Sequence, residues 1–449
     1  MPALDLDDIQ GLILRGYRKP FARHLLLRVD DAAAFKGPLG DLAEEDRASG
    51  PFVTVAADWI DKPPAGEVPG HCVNVGFTFD GLRVMGLPDA SLDSFPAEFR
   101  EGTVARAAEV GDTGPSAPEH WVAALTSPDA HVLVSLFADT ERELDALTAD
   151  VGGRLAGGAT ERGRFDGRAL PGEVAHFGYR DGLSQPTIEG APTAGLPDPF
   201  EPVKAGAFVL GLESPHAGLT FLVPQPDALG RNGSFGAFRI LRQDCAGFER
   251  FLDEGAARTG LDRELVAAKV CGRWRNGVPL ALSPTGDTPD PALPQERWND
   301  FDHADDPRGL RCPLGSHVRR GNPRRSRIAG GGGLTHRIVR RGLPYGPPYD
   351  PANPDDGVER GLVGMFIGAS LRDQFEFLMS EWLNDGVFAP GLGRTKDPLT
   401  GANDAGESRF AIPGDPPVEV GGFGRFVTTR GGAYCFLPSM TALRALSAV

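Results

Sequence analysis

Short apolar runs punctuated by turn residues mark out the strands of this chain. "HLLLRVD" (His24 to Asp30) and "AHVLVSLFAD" (Ala130 to Asp139) predict strands. "FVTVAAD" (Phe52 to Asp58) and "HCVNVGFTF" (His71 to Phe79) alternate apolar and polar positions and predict antiparallel strands. Helical spacing fills the gaps. "DAAAFKGPLGDLAEE" predicts a helix that Asp31 can cap, "DGLRVMGL" a short one, and Thr140 to Leu155 a clear amphipathic one. In the second half "FGAFRILRQD" (Phe235 to Asp244) predicts a strand and "AGFERFLDEGAAR" the helix after it. "HRIVRRG" and "GLVGMFIGAS" predict strands, "LRDQFEFLMSEWLND" a helix, "RFVTTRGGAYCFLP" a hairpin, and a last helix closes the chain.

The first half therefore runs β-α-β-β-α-β, the split βαβ of ferredoxin-like folds, and the second half repeats the architecture without repeating the residues. Sheets with helices on one face, met twice in 449 residues, predict two α+β units. The 41% hydrophobic content is enough for full cores.

Charge narrows the partners. Lys and Arg number 46 against 61 Asp and Glu, a formal charge of −15. That balance argues against nucleic acid and anionic membrane surfaces and favours neutral or cationic small molecules. No apolar run is long enough for a membrane helix, and the opening MPALDLDDIQ lacks the basic and apolar regions of a signal peptide. Five scattered cysteines, Cys72, Cys245, Cys271, Cys312 and Cys435, form no C-x-x-C pair, so a reducing, cytoplasmic setting is the expectation. "AGGGG" (Ala329 to Gly333) lacks the Lys-Ser/Thr of a phosphate loop and predicts a spacer.

Three stretches carry candidate chemistry. "HFGYRDGLSQP" (His176 to Pro186) sets Asp181 between Gly178 and Gly182. Such an acid serves either its own turn or a proton transfer. "CPLGSHVRRGNPR" (Cys312 to Arg324) places His317 among Arg319, Arg320 and Arg324, with Arg325 following. Crowded guanidinium groups call for anions, and carboxylates are natural bidentate partners; the plain alternative is a solvated basic loop. "HRIVRRGLPYG" (His336 to Gly346) puts Arg340 in an apolar strand, where it needs a partner, and Arg341 on the opposite, solvent-facing side.

"GYRDG", "CPLGSHVRRGNPR", "IVRRGLPYG", "QFEFLMSEW" and "RFVTTRGGAYCFLPS", in that order after an opening "DIQGLILRGY", resemble the dye-decolorising peroxidases. The resemblance spans nearly the whole chain through several unrelated motifs. It implies an α+β protein of two ferredoxin-like (split βαβ) modules with antiparallel sheets, residues 1–200 and 201–449, with haem b between them. It implies reduction of hydrogen peroxide and oxidation of aromatic compounds such as dyes and phenols through a ferryl intermediate. The alternative is a haem-handling protein with little turnover.

Residue by residue, the resemblance makes His317 the proximal iron ligand and Arg324 a propionate contact. Asp181 becomes the distal proton carrier, so dye oxidation should have an acidic optimum. Arg340 becomes the distal cation, and Gly182 and Gln185 join the cofactor's surroundings. Glu376 is the expected partner of the ligating histidine, with Asp373 as the alternative. Phe366 and Met365 are expected as apolar walls of the distal pocket, and Tyr345 and Trp382 as relays for electrons from bulky dyes. One departure stands out: some members carry asparagine two residues after the distal arginine, where this chain has Gly342.

Overall fold

The structure, a computed structural model, describes residues 4–44, 52–59, 70–191, 200, 202–288, 293–326, 334–385, 388–389, 392 and 395–449. The Ala329 to Gly333 spacer lies outside them. Among the described residues eight strands form one sheet, with every pairing antiparallel.

The first module comprises β1 (Phe21–Val29), β2 (His71–Phe77), β3 (Val132–Ala138) and β4 (Ala159–Arg168). Two helices, α2 (Ala32–Ala43) and α3 (Glu141–Leu155), cover it; a short α1 (Gly11–Leu14) precedes it. Asp31 caps α2 by accepting from Ala34 N, and Thr140 with Glu143 forms a complete capping box on α3. The order 4-1-3-2 is the ferredoxin-like arrangement expected from the sequence.

Two strand assignments differ from expectation. The 52–58 run makes only isolated bridges at Val53 and Val55 before turning into a 3-10 helix at Ala56–Trp59. The outer strand is instead β4, whose sequence ATERGRFDGR is mostly solvent-facing and carries no apolar alternation.

The second module repeats the order with β5 (Ser234–Gln243), β6 (Val339–Tyr345), β7 (Gly361–Gly368) and β10 (Val427–Leu437). A separate pair, β8 (Arg409–Ile412) and β9 (Val418–Gly421), stands apart. The expected hairpin at the end of the chain is thus one long strand: the register against β5 shifts between Thr429 and Gly431, with Arg430 as the extra residue, and no turn forms. Helices α4 (Cys245–Thr259) and α5 (Arg263–Cys271) follow β5, α6 (His317–Gly321) carries the basic motif, and α7 (Met440–Ala448) ends the chain. The helix expected over "LRDQFEFLMSEWLND" is present with a wide, π-type turn over Leu371–Glu376 and Leu378–Leu383.

The modules join edge to edge through β2 and β10, at Phe77 opposite Phe436. At the far ends β4 packs on β6, where Gly167 leaves room for Leu343 and Val363, so the sheet curls back on itself. A cluster of phenylalanines, Phe95, Phe99, Phe235 and Phe436, fills the junction. The candidate site residues come from the second module and from the segment that leads into it. Among the described residues no helix is long and apolar enough to cross a membrane.

Candidate active site

Helix α6 begins at His317 because Ser316 precedes it in an extended conformation and the Cys312–Gly315 turn brings it against α5. Gly272, at φ 97°, ends α5 there; a Cβ on it would sit 3.0 Å from Val318 and 3.1 Å from Ser316 Oγ. The imidazole remains 29% exposed while its partner is fully buried. His317 Nδ1 lies 3.0 Å from Oδ2 of Asp397. A carboxylate accepts from N–H, so Nδ1 carries the proton and Nε2 keeps its lone pair. Among the described residues no hydrogen bond reaches Nε2.

Asp397 is held from every side. Its Oδ1 accepts from Leu399 N at 2.9 Å, Thr400 N at 2.7 Å and Thr400 Oγ1 at 3.1 Å. Burial alone would raise its carboxyl, but the facing His317, these amides and nearby Arg320 together hold it below the ordinary value.

This pairing corrects the expectation for Glu376 and Asp373. Glu376 is buried elsewhere: its oxygens accept from Arg106 Nε and Nη2, both at 2.7 Å, and from Tyr434 OH at 2.8 Å. Asp373 sits at the start of its helix beside Ser370. The true partner stands 80 residues from the histidine, in a loop without periodicity, where only the Asp-x-x-Thr turn signature marks it.

The basic motif is buried rather than solvated, and carbonyls satisfy most of it. Arg319 donates to Asp306 O and Cys312 O, both at 2.7 Å, and to Asp306 Oδ2 at 3.2 Å. Arg320 donates to Trp382 O at 2.8 Å, Asp385 O at 3.0 Å and Thr395 O at 2.8 Å. Burial pushes its guanidinium down to about 10. Arg320 ties together the segments around Asp397 and Arg319 holds the Asp306–Cys312 loop ahead of α6, so neither is waiting for an external anion. Arg324 spends Nη1 on Asn299 O at 3.0 Å and Phe301 O at 2.9 Å, and lies 4.0 Å over the Phe301 ring.

The Asp181 turn docks on β6. Gly182 adopts φ 72°, a conformation natural to glycine, and its amide donates to Asp181 Oδ1 at 2.7 Å. Gln185 pairs with the main chain of Arg340 in both directions, at 3.2 and 3.3 Å, while Arg340 Nη2 donates to Ser184 O at 2.9 Å. Asp181 and Arg340 are both exposed groups of one docked unit.

The two β6 arginines exchange the environments expected of them. Arg341 is the buried one, donating through Nε to Leu12 O at 2.8 Å at the C-terminal end of α1, because α1 covers that face. Phe366 lies directly opposite Arg340 on β7 and so shares its face, whereas Met365 lies opposite Arg341 and packs into the core. Met365 is therefore no wall of the Arg340 side. Tyr345 OH donates to Glu359 at 3.0 Å. Trp382 is buried with Phe377, Phe388 and His336.

The donor set suits a flat metal macrocycle. No group of three or more His, Cys, Asp or Glu is gathered around a metal-sized point among the described residues. An iron bound here would take His317 as its protein ligand and bring its other ligands with it, as a porphyrin does.

The sequence profile described as the DyP dimeric alpha+beta barrel domain matches residues 8–171. Dye-decolorizing peroxidase msp1 of Mycetinis scorodonius is 32% identical over 482 residues, covering 99% of this chain and 88% of its own length. A dye-decolorizing peroxidase solved in complex with 2,6-dimethoxyphenol superposes with a TM-score of 0.84 at 31% identity, covering 99% of this chain and all of its own. Another, solved in a study of asymmetric sulfoxidation by engineering of its haem pocket, superposes at 0.83 with 27% identity, covering 99% of this chain and all of its own.

Proposed function

The chain belongs to the dye-decolorising peroxidase family, a peroxidase of dyes and phenols, and from that premise we propose how its own residues carry the reaction. Haem b is the cofactor, hydrogen peroxide the oxidant and small aromatic molecules the reductants. The observation that carries this reading is the His317–Asp397 pair: a partly exposed imidazole is held in one tautomer by a buried carboxylate, with Nε2 presented.

His317 Nε2 would ligate the iron and Arg324 would face a propionate. When bound, the haem supplies an iron centre that takes two oxidising equivalents from peroxide and returns them to reductants one electron at a time. Asp397 keeps Nδ1 protonated and makes the imidazole a more electron-rich ligand.

Asp181 handles the proton. The Gly182 amide occupies its Oδ1, which leaves Oδ2 to take a proton from one peroxide oxygen and return it to the other, where water leaves. Arg340 has one nitrogen fixed on Ser184 O, so the planar group is oriented in advance. Its remaining N–H groups stabilise negative charge as the O–O bond breaks. Phe366, on the same face, keeps that volume apolar.

The test is an absorption spectrum of protein reconstituted with haem, then rapid mixing with peroxide. Wild type should show a Soret band and a spectral change within the mixing experiment, and His317→Ala should lose tight haem binding. A wild type that binds haem and stays inert to peroxide would leave only a haem-handling role.

A further inference from the structure

We propose that Asn299 is a positioning residue that fixes the Asp181 turn and the Arg324 guanidinium to one buried point. The proposal rests on the peroxidase reading and deepens it, because it concerns what holds the proton carrier in place.

Asn299 is fully buried. Its Oδ1 accepts from Arg273 Nη2 at 2.7 Å, and its Nδ2 donates to Leu183 O at 2.9 Å. Its main-chain oxygen accepts from Arg324 Nη1 at 3.0 Å. Swapping the amide would set N–H against guanidinium N–H and oxygen against carbonyl oxygen, so one orientation alone satisfies both neighbours. Leu183 is two residues from Asp181, and Arg324 lies in the loop that follows α6. A single residue therefore bonds both to the Asp181 turn and to Arg324.

Arg273 makes this link stronger than an ordinary amide contact. It is 6% exposed, and its acceptors among the described residues are neutral: Gly277 O at 2.9 Å, Trp298 O at 3.3 Å and the Asn299 amide. A buried cation pulling on Oδ1 polarises the amide and makes its N–H a better donor to Leu183. Burial, with the charge of Arg340 acting in the same sense, pushes Arg273 down to about 10, which also places these two guanidinium groups within each other's field.

The rest of the contact is shaped to match. Arg180 N donates to Arg275 O at 2.9 Å. Gly277, at φ 99°, lies under Leu183, and a Cβ there would stand 2.4 Å from Leu183 Cδ1. The turn rests on a surface cut for it, and Asn299 bonds it down.

Asn299→Asp separates positioning from folding. It keeps the acceptor for Arg273, now as an ion pair, and the main-chain oxygen for Arg324, but sets a carboxylate oxygen against Leu183 O. Amide hydrogen exchange over residues 176–186 should quicken by about 10-fold in cofactor-free protein, with or without peroxidase activity. In reconstituted enzyme the peroxide rate constant should fall roughly 10- to 100-fold and its pH profile should move, since small misplacements of a reacting group cost that much. Haem affinity should hold. Arg273→Lys, which keeps the charge but shortens the reach, should act in the same direction more weakly. Unchanged exchange and an unchanged pH profile in a folded Asn299→Asp protein would overturn the proposal. A wild type inert to peroxide would overturn the peroxidase reading instead and leave the exchange result to judge Asn299 independently.

Discussion

Replacing Asp397 by asparagine tests the proximal side most directly. The new side chain has almost the same shape. Its oxygen can still accept from Leu399 N and Thr400 N, which lie 2.9 and 2.7 Å from Oδ1 in wild type. What changes is the atom 3.0 Å from His317 Nδ1, where an NH2 group replaces a carboxylate oxygen. Two donors cannot face each other, so the imidazole must move its proton to Nε2 or rotate, and either change takes the lone pair away from the iron. Loss of such a partner typically weakens metal binding 10- to 100-fold, or about 1.4–2.7 kcal/mol. Titrating cofactor-free protein with haem and following the Soret band measures the affinity, and thermal unfolding of the same sample reports whether the loop survived. The reduction potential should also rise, because the histidine loses the electron density that the carboxylate gives it. Affinity and potential both equal to wild type in a folded variant would refute the tautomer argument.

Glu376→Gln should behave in the opposite way. It breaks the clamp on Arg106 and weakens the bond from Tyr434 inside a buried network; Arg106 is itself 21% exposed, so the cost should be about 2–3 kcal/mol in urea unfolding, with haem affinity unchanged. The fold should also lose stability in acid through its buried histidines. Burial pushes His24 down to about 4, and burial with four neighbouring arginines pushes His303 down to about 2. Both sit below the unfolded value, so the unfolded chain binds more protons and stability falls as pH drops below about 6.5. At pH 5 each contributes roughly 2 kcal/mol of loss. Urea unfolding at pH 7.5 and pH 5 checks this, and His24→Gln should reduce the stability difference between them by roughly 2 kcal/mol.

Sequence patterning revealed the strands that are apolar on both faces and the helices that are apolar on one. β1, β3 and β5 are apolar enough to announce themselves, and α2 and α3 carry their caps in plain view. β4 escaped notice because its charged residues face solvent or make ion pairs, as Asp166 does with Arg23, and an edge of that kind has no alternation to detect. The split of β6 into a buried and an exposed arginine was visible as alternation, but not its phase, which depends on α1 covering one face from more than 300 residues away. Motifs identified His317, Asp181 and Arg340 as a set. Asp397, Asn299 and Arg273 belong to no motif; each is defined by partners brought to it from other parts of the chain.

That difference has a physical origin. Groups that face substrate or cofactor must have a particular chemistry, so their identity stands out in sequence. Groups that hold them need only a donor or an acceptor at the right point, and this protein supplies many of those from the main chain. Arg319, Arg320 and Arg273 are all buried, and among the described residues their hydrogen-bond partners are mainly carbonyl oxygens; Asp306 is the carboxylate among them. A guanidinium has five donors in a rigid plane and can gather carbonyls from several loops at once, which no carboxylate can do. The described residues of the loops that frame His317 and Asp397 are mostly without regular secondary structure, and an arginine at their centre replaces hydrogen bonds that a helix or sheet would have provided. Replacing such an arginine leaves several carbonyls buried without donors, whereas replacing a surface arginine removes one ion pair. The basic motif around His317 therefore serves first to hold together the loops around His317 and Asp397.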